Sequence, residues 1–203
     1  MLFRSRTLAI AYRLAPEHPF PAACEDVLKA WHFLGKCDVP ASRIAIGGDS
    51  AGAGLVVALI TQLRAAHAEL PACAWLVSPW TDLTLSGSTL TTKDAVDPII
   101  HKAYLNELVD VYLAARVERN DPRVSPLFAD LNGFPPMLIQ VGTAETLLDD
   151  AVRLAERARS AGVKVTLDVE EDMIHVWSAF ASVLDEGQQA IDRIGEFVRA
   201  HTS

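Results

Sequence analysis

Basic residues are scarce: 18 Lys and Arg stand against 26 Asp and Glu, a formal net charge of −8. Nucleic acid and anionic membrane surfaces attract proteins through basic patches. The sequence holds no Lys/Arg cluster, so neither is an expected partner. Long apolar runs are missing too. The longest, from Ala51 to Leu63, is broken by Gly52, Gly54, Thr61 and Gln62. It falls short of the roughly 20 apolar residues of a membrane span and reads as a buried helix. The opening "MLFRSRTLAIAY" places basic residues before an apolar run, but Arg13 interrupts it before a leader's hydrophobic stretch is complete, so secretion is not expected. Cysteine is limited to Cys24, Cys37 and Cys73, an odd number with no CxxC spacing. That disfavours a disulfide scaffold or zinc site and fits a reducing cytoplasm, with each cysteine serving as a small buried hydrophobe. No metal or organic cofactor is expected.

What remains is a chain of 203 residues, 50% hydrophobic and 22% charged, enough for one sizeable core and a single domain over residues 1–203. Short apolar runs predict strands over Thr7–Tyr12, Arg43–Gly48, Cys73–Ser78, Met137–Gly142 and Lys164–Val169. Helical segments fall at about Glu25–Leu34, Ala51–Ala66 and Asp149–Ala161, with another in the C-terminal tail. There Ile191, Ile194 and Val198 share one face. Such alternation predicts an α/β fold, a mostly parallel, doubly wound sheet covered on both faces. Residues 86–136 interrupt the rhythm with a predicted helix near His101–Ala114 and the loop "NDPRVSPLFADLNGFPP". An insertion of this length reads as a lid or cap.

The stretch "IAIGGDSAGAG", Ile44 to Gly54, contains GxSxG at Gly48-Asp49-Ser50-Ala51-Gly52, between an apolar strand and an apolar helix. A sharp strand-to-helix turn forces a serine into a strained conformation, and flanking glycines remove Cβ atoms that would clash. The alternative is a glycine-rich turn that merely starts a helix. The strand and helix context favours Ser50 as a nucleophile at the N-terminus of a helix, where negative charge is welcome.

A serine hydroxyl needs a base, and the base needs a carboxylate to orient it. In α/β-hydrolases the order is serine, acid, histidine. His18, His32, His67 and His101 come before any suitable acid, and His201 lies in the tail. His175, in "EEDMIHVWSAF" after the last predicted strand, remains. The acid should follow the preceding strand, where Glu145, Asp149 and Asp150 are available. Glu145 comes first; Asp149 and Asp150 suit the first turn of the next helix.

The motifs "YRLAPEHPFPAA", "GDSAG", "SPWTDL", "SPLFADL" and "MIHVW" occur in the order and approximate spacing of the hormone-sensitive-lipase family of α/β-hydrolase carboxylesterases, the bacterial family IV, and the resemblance covers nearly the whole chain. Gly142 to Asp149 fits that family's G-x-x-D-x-L-x-D motif with Glu145 at the place of the acid. The resemblance therefore implies Ser50 as nucleophile, His175 as base and acid, and Glu145 as orienting carboxylate. Asp49 and the proline-rich segment after Tyr12 are expected to be structural. Trp80 could either line the pocket or pack in the core.

Family members also carry an HGGG-type segment that forms most of the oxyanion hole, and no HGG occurs in these 203 residues. The sequence thus reads as an N-terminally truncated hydrolase in which the backbone N–H of Ala51 is the oxyanion donor left. "MLFRSRT" occupies the lead into a strand. An incomplete sheet would leave an apolar edge open to self-association, making a homo-oligomer through that edge an expectation. The resemblance implies a serine carboxylesterase acting on small-molecule esters of short to medium acyl chain, with weak activity expected without the glycine-rich segment. The alternatives are a silent hydrolase-like fragment serving as a binding or assembly module, and an acyltransferase on the same scaffold.

Overall fold

The computed structural model describes residues 6–202. The first five residues of the expected lead-in "MLFRSRT" lie outside the described residues. Four strands form one sheet in the order β1 (Ala45–Asp49), β2 (Cys73–Val77), β3 (Met137–Gly142) and β4 (Val165–Glu170), and every pair is parallel. Parallel neighbours require crossovers. These are supplied by α2 (Ser50–Ala65) between β1 and β2 and α5 (Leu148–Ser160) between β3 and β4. Helix α1 (Ala22–Lys36) precedes the sheet and α6 (Asp185–His201) follows it. The expected α/β architecture, a parallel sheet flanked by helices, is what forms.

Alternation along the strands divides the core. Ala74 and Leu76 of β2 and Met137, Ile139 and Val141 of β3 face α2 and α5, meeting Ala53, Val57, Ile60, Ala151 and Leu154. Val77 and Leu138 point to the other face, against Trp177, Ala190 and Ile194 of the C-terminal region. All six residues of β3 are buried, as expected of an inner parallel strand covered on both sides. On α6 the buried positions are Gly187, Ala190, Ile194 and Gly195, so the packed stripe runs through Ala190, with the expected Ile191 only half-buried.

Helix α2 is apolar nearly all round because it is covered on two sides. Val56, Val57 and Ile60 meet the sheet, whereas Leu55, Leu59 and Leu63 meet α1 and the 86–136 segment. That segment contains α3 (Thr89–Thr92) and α4 (Lys102–Leu113), whose Leu105, Val109 and Leu113 recur every four residues and are buried. Two sequence motifs hold its return. Leu83 N–H donates to Ser125 Oγ at 2.8 Å, and Leu127 N–H donates to the Thr81 carbonyl at 3.0 Å.

Thr7–Tyr12 does not form a strand. A strand exists through its partners, and among the described residues none lies beside this segment; Leu8 and Ile10 are exposed. Immediately after it, Arg13 grips Asp26 of α1 with both Nε (2.8 Å) and Nη2 (2.9 Å), holding that carboxyl well below its usual range. This gives "YRLAPEHP" its structural role. Cys24 and Cys73 are buried as expected. Cys37, just past the end of α1, is exposed instead. No described helix is long and apolar enough to cross a membrane.

Candidate active site

The register brings the carboxyl ends of the strands level: Asp49 pairs with Val77, Val77 with Gln140, and Gly142 with Glu170. Ser50, Ser78, Glu145 and His175 follow β1, β2, β3 and β4 respectively, so the four loops of one rim each contribute a polar side chain. Ligand sites of open parallel sheets lie along this edge.

Ser50 has a φ of 51°, the strained conformation expected of a serine on a strand-to-helix elbow. Its neighbours explain how the turn is tolerated. A Cβ on Gly48 would stand 2.6 Å from the backbone carbon of Gly52, and one on Gly54 would stand 2.4 Å from the Trp80 carbonyl oxygen. Gly48 and Gly54 are thus demanded by close backbone approach, while a Cβ on Gly52 would meet nothing within 4 Å. Trp80 N–H closes the elbow by donating to the Ser50 carbonyl at 3.1 Å. The Trp80 ring, 9% exposed, belongs to the core cluster around α2. Ala51, expected to supply an oxyanion donor, is exposed in the first turn of α2, where backbone N–H groups lack intrahelical acceptors.

Glu145 is fully buried and surrounded by donors. Oε1 accepts from Ser78 Oγ at 2.8 Å and Gly142 N–H at 2.7 Å, and Oε2 lies 3.0 Å from His175 Nδ1. His175 is itself 5% exposed. A carboxylate accepting at Nδ1 selects the tautomer with its proton there, leaving Nε2 free as an acceptor. The structure therefore joins two of the three expected residues directly. Among the described residues no hydrogen bond links Ser50 Oγ to His175; the serine stands on the same rim, two strands from Glu145. Contacts of this kind often close only when a substrate is bound.

The acid turn is gripped from outside by carboxylates that sequence reasoning assigned otherwise or missed. Asp97, from the 86–136 segment, accepts from Thr146 N–H at 2.8 Å and Thr146 Oγ1 at 3.1 Å. Asp149 accepts from Ser88 Oγ at 2.8 Å and Thr89 N–H at 3.1 Å, and Asp150 from the N–H groups of Thr81 (2.7 Å) and Asp82 (2.9 Å). Asp149 and Asp150 sit in the first turn of α5, as expected, but reach out to neighbouring loops instead of capping their own helix. Burial pushes the Asp150 carboxyl up to about 7, against the Thr81 N–H bond and with help from the charge of Asp82. Asp82 is just as enclosed, and burial pulls its carboxyl the same way. Hydroxyl bonds from Ser86 and Thr84 and an ion pair with Arg153 at 2.9 Å nevertheless hold it low. Ser78 was also missed as a contact of the acid. Its signal was the "SPWTDL" motif, which begins where β2 ends.

Among the described residues no group of three or more His, Cys, Asp or Glu side chains is placed to hold a metal ion. The chemistry available is that of a hydroxyl on a strained elbow and a buried carboxylate–imidazole pair, which together suit nucleophilic acyl transfer.

The fold recurs in known proteins. A family described as alpha/beta hydrolase fold matches residues 3–179. An acetyl-hydrolase of Streptomyces hygroscopicus is 45% identical over 195 residues, covering 96% of this chain and 65% of that protein. An esterase of Acinetobacter venetianus is 37% identical over 192 residues, covering 95% and 63%. The crystal structure of an esterase from the bacterial hormone-sensitive lipase family superposes with a TM-score of 0.93 at 49% identity, again over 95% of this chain and 65% of the other. The chain thus spans a little under two thirds of the length of these relatives.

Proposed function

Because the chain belongs to the α/β-hydrolase fold family, with esterases of the bacterial hormone-sensitive lipase family among its relatives, we propose that it is a serine carboxylic-ester hydrolase acting through an acyl-enzyme. The observation that carries this reading is the buried Glu145–His175 pair on the rim that also bears Ser50 on its elbow. In the proposed cycle, Ser50 Oγ attacks the ester carbonyl carbon while His175 Nε2 takes its proton. The tetrahedral oxyanion forms near Ala51 N–H and the first turn of α2. Collapse breaks the bond to the alcohol oxygen, which leaves with the proton from Nε2. Water, deprotonated by the same nitrogen, then releases the carboxylic acid and restores Ser50. Glu145 stays ionised and holds Nδ1–H, stabilising the imidazolium in both halves.

The name of one relative, an acetyl-hydrolase, supports esters of short acyl chains, and residues 86–136, which pack against α1 and α2, would serve as a partial cap. The test is hydrolysis of p-nitrophenyl acetate by the purified chain beside Ser50→Ala, following the initial burst. A stoichiometric burst lost in the Ser50→Ala variant supports the reading. Equal hydrolysis by both folded proteins refutes it.

A further inference from the structure

Ser78 lies at the first position after β2, between the strands that carry Ser50 and Glu145, and is fully buried. Its backbone is fastened to the next strand, Ser78 N–H donating to the Gln140 carbonyl at 2.8 Å. A serine hydroxyl has one proton to give and lone pairs to receive. Val176 N–H lies 3.0 Å from Ser78 Oγ and can only donate, so the hydroxyl accepts there. Its single proton goes to Glu145 Oε1 at 2.8 Å. One side chain thus binds the acid and the residue that follows the base.

Backbone strain marks the same two positions. Ser78 has a φ of 46° and Val176 a φ of 52°; the left-handed region is costly for any side chain and most of all for a β-branched one. Such conformations persist where the surroundings fix them, and at Val176 the hydroxyl of Ser78 holds the N–H while Ala179 N–H holds the carbonyl at 2.9 Å. We infer that Ser78 is a positioning residue, whose hydroxyl sets the Glu145 carboxylate and the His175-bearing loop in register with one another. The inference rests on the proposed role of the Glu145–His175 pair. Ser78 acts through that pair and is not assigned a contact with substrate, so its loss lowers the rate of acylation and leaves substrate affinity unchanged.

The experiment is a double-mutant cycle of the full chain: native, Ser78→Ala, Glu145→Ala and the double variant. Two readouts are taken: the second-order rate of Ser50 phosphonylation by a fluorophosphonate, and kcat and KM for p-nitrophenyl acetate. Losing one hydrogen bond to a charged group predicts a 10- to 100-fold lower rate for Ser78→Ala, with KM within about twofold. In the Glu145→Ala background the same substitution should cost less than threefold, because the group it positions is gone. Ser78→Gly, which suits the φ of 46° and also lacks the hydroxyl, carries the comparison if Ser78→Ala does not fold. With Glu145→Ala crippled, a Ser78 variant within threefold of native, or one whose factor is undiminished in the Glu145→Ala background, overturns the inference. A Glu145→Ala chain as fast as native would instead remove the triad reading beneath it.

Discussion

Replacing Glu145 by glutamine keeps the shape of the side chain and changes only what its two terminal atoms can do. In the native site all three neighbours are donors: Ser78 Oγ, Gly142 N–H and His175 Nδ1–H. Glutamine offers one acceptor oxygen and one NH2. If its oxygen turns to His175, the NH2 confronts Gly142 N–H, which cannot rotate away. An unpaired buried donor costs about 1–3 kcal/mol. If the oxygen turns to Ser78 and Gly142, all three neighbours are satisfied, provided His175 gives up its Nδ1 proton and receives one on Nε2. That second arrangement is favoured by about 5- to 150-fold, from RT ln K with the same cost. It leaves the proton on Nε2, which then cannot take the serine proton. Loss of the charge that stabilises the imidazolium adds to this. Removing the charge of a triad carboxylate while keeping its shape costs about 10⁴ in kcat, which corresponds to about 5 kcal/mol of barrier. Initial rates with p-nitrophenyl acetate and Ser50 phosphonylation rates, both between pH 6 and 9, should each fall by about this factor. Because the buried hydrogen bonds are remade, the thermal midpoint should move by only a few degrees. A Glu145→Gln chain retaining more than a tenth of native reactivity would refute the assignment of Glu145 and the tautomer argument together.

Gly48→Ala should cost about 100-fold in Ser50 reactivity by displacing the elbow against the Gly52 backbone, while Gly52→Ala, with open space around the new methyl, should fold normally; circular dichroism and phosphonylation rates compare the two. Asp150→Asn retains an oxygen for the Thr81 and Asp82 N–H groups and removes the titration. The native carboxyl, raised to about 7, favours the folded state below the unfolded value of 3.8 and loses that contribution as pH rises through 7. Urea unfolding between pH 5 and 8 should therefore show native stability falling against the variant by about 2 kcal/mol, and parallel curves would contradict the shift. Trp177→Ala empties a fully buried site whose ring nitrogen donates to the Glu186 carbonyl at 3.3 Å. Calorimetry should find a loss of about 3–5 kcal/mol.

The elements most legible in the sequence were those whose signal is local. Met137–Gly142 has the bounds predicted from its unbroken apolar run, and α2 and α5 start within a residue of the glycine-rich turn and the paired acids that announced them. Glu145 could be preferred to Asp149 because a strand end fixes which residue reaches the rim first. Thr7–Tyr12 carries an equally good strand pattern, yet a pattern supplies no hydrogen-bonding partner. Ser78 and Asp97 were invisible for a related reason. Their bonds to Glu145 and Thr146 join positions 67 and 49 residues apart, and no periodicity records a meeting that depends on the whole sheet being assembled. Asp149 and Asp150 do occupy the first turn of α5, as expected, but a first-turn acid favours the helix dipole wherever its side chain points, so their partners were not legible. Only the folded loops reveal that the carboxylates bind Ser88, Thr89, Thr81 and Asp82.

The carboxylates that fasten residues 86–136 to the acid turn decide how this protein can be rebuilt. Asp97 and Thr89 are each half of a buried or partly buried bond whose other half belongs to Thr146 or Asp149, and Ser88 adds an exposed bond to Asp149. A chimera that exchanges the segment for one of different length or sequence would orphan groups beside Glu145 and loosen the carboxylate it was never meant to touch. Transplants intended to alter substrate range should therefore carry Ser88, Thr89 and Asp97 with them as fixed anchor points, and draw their diversity from the exposed surface between those anchors and the return at Ser125.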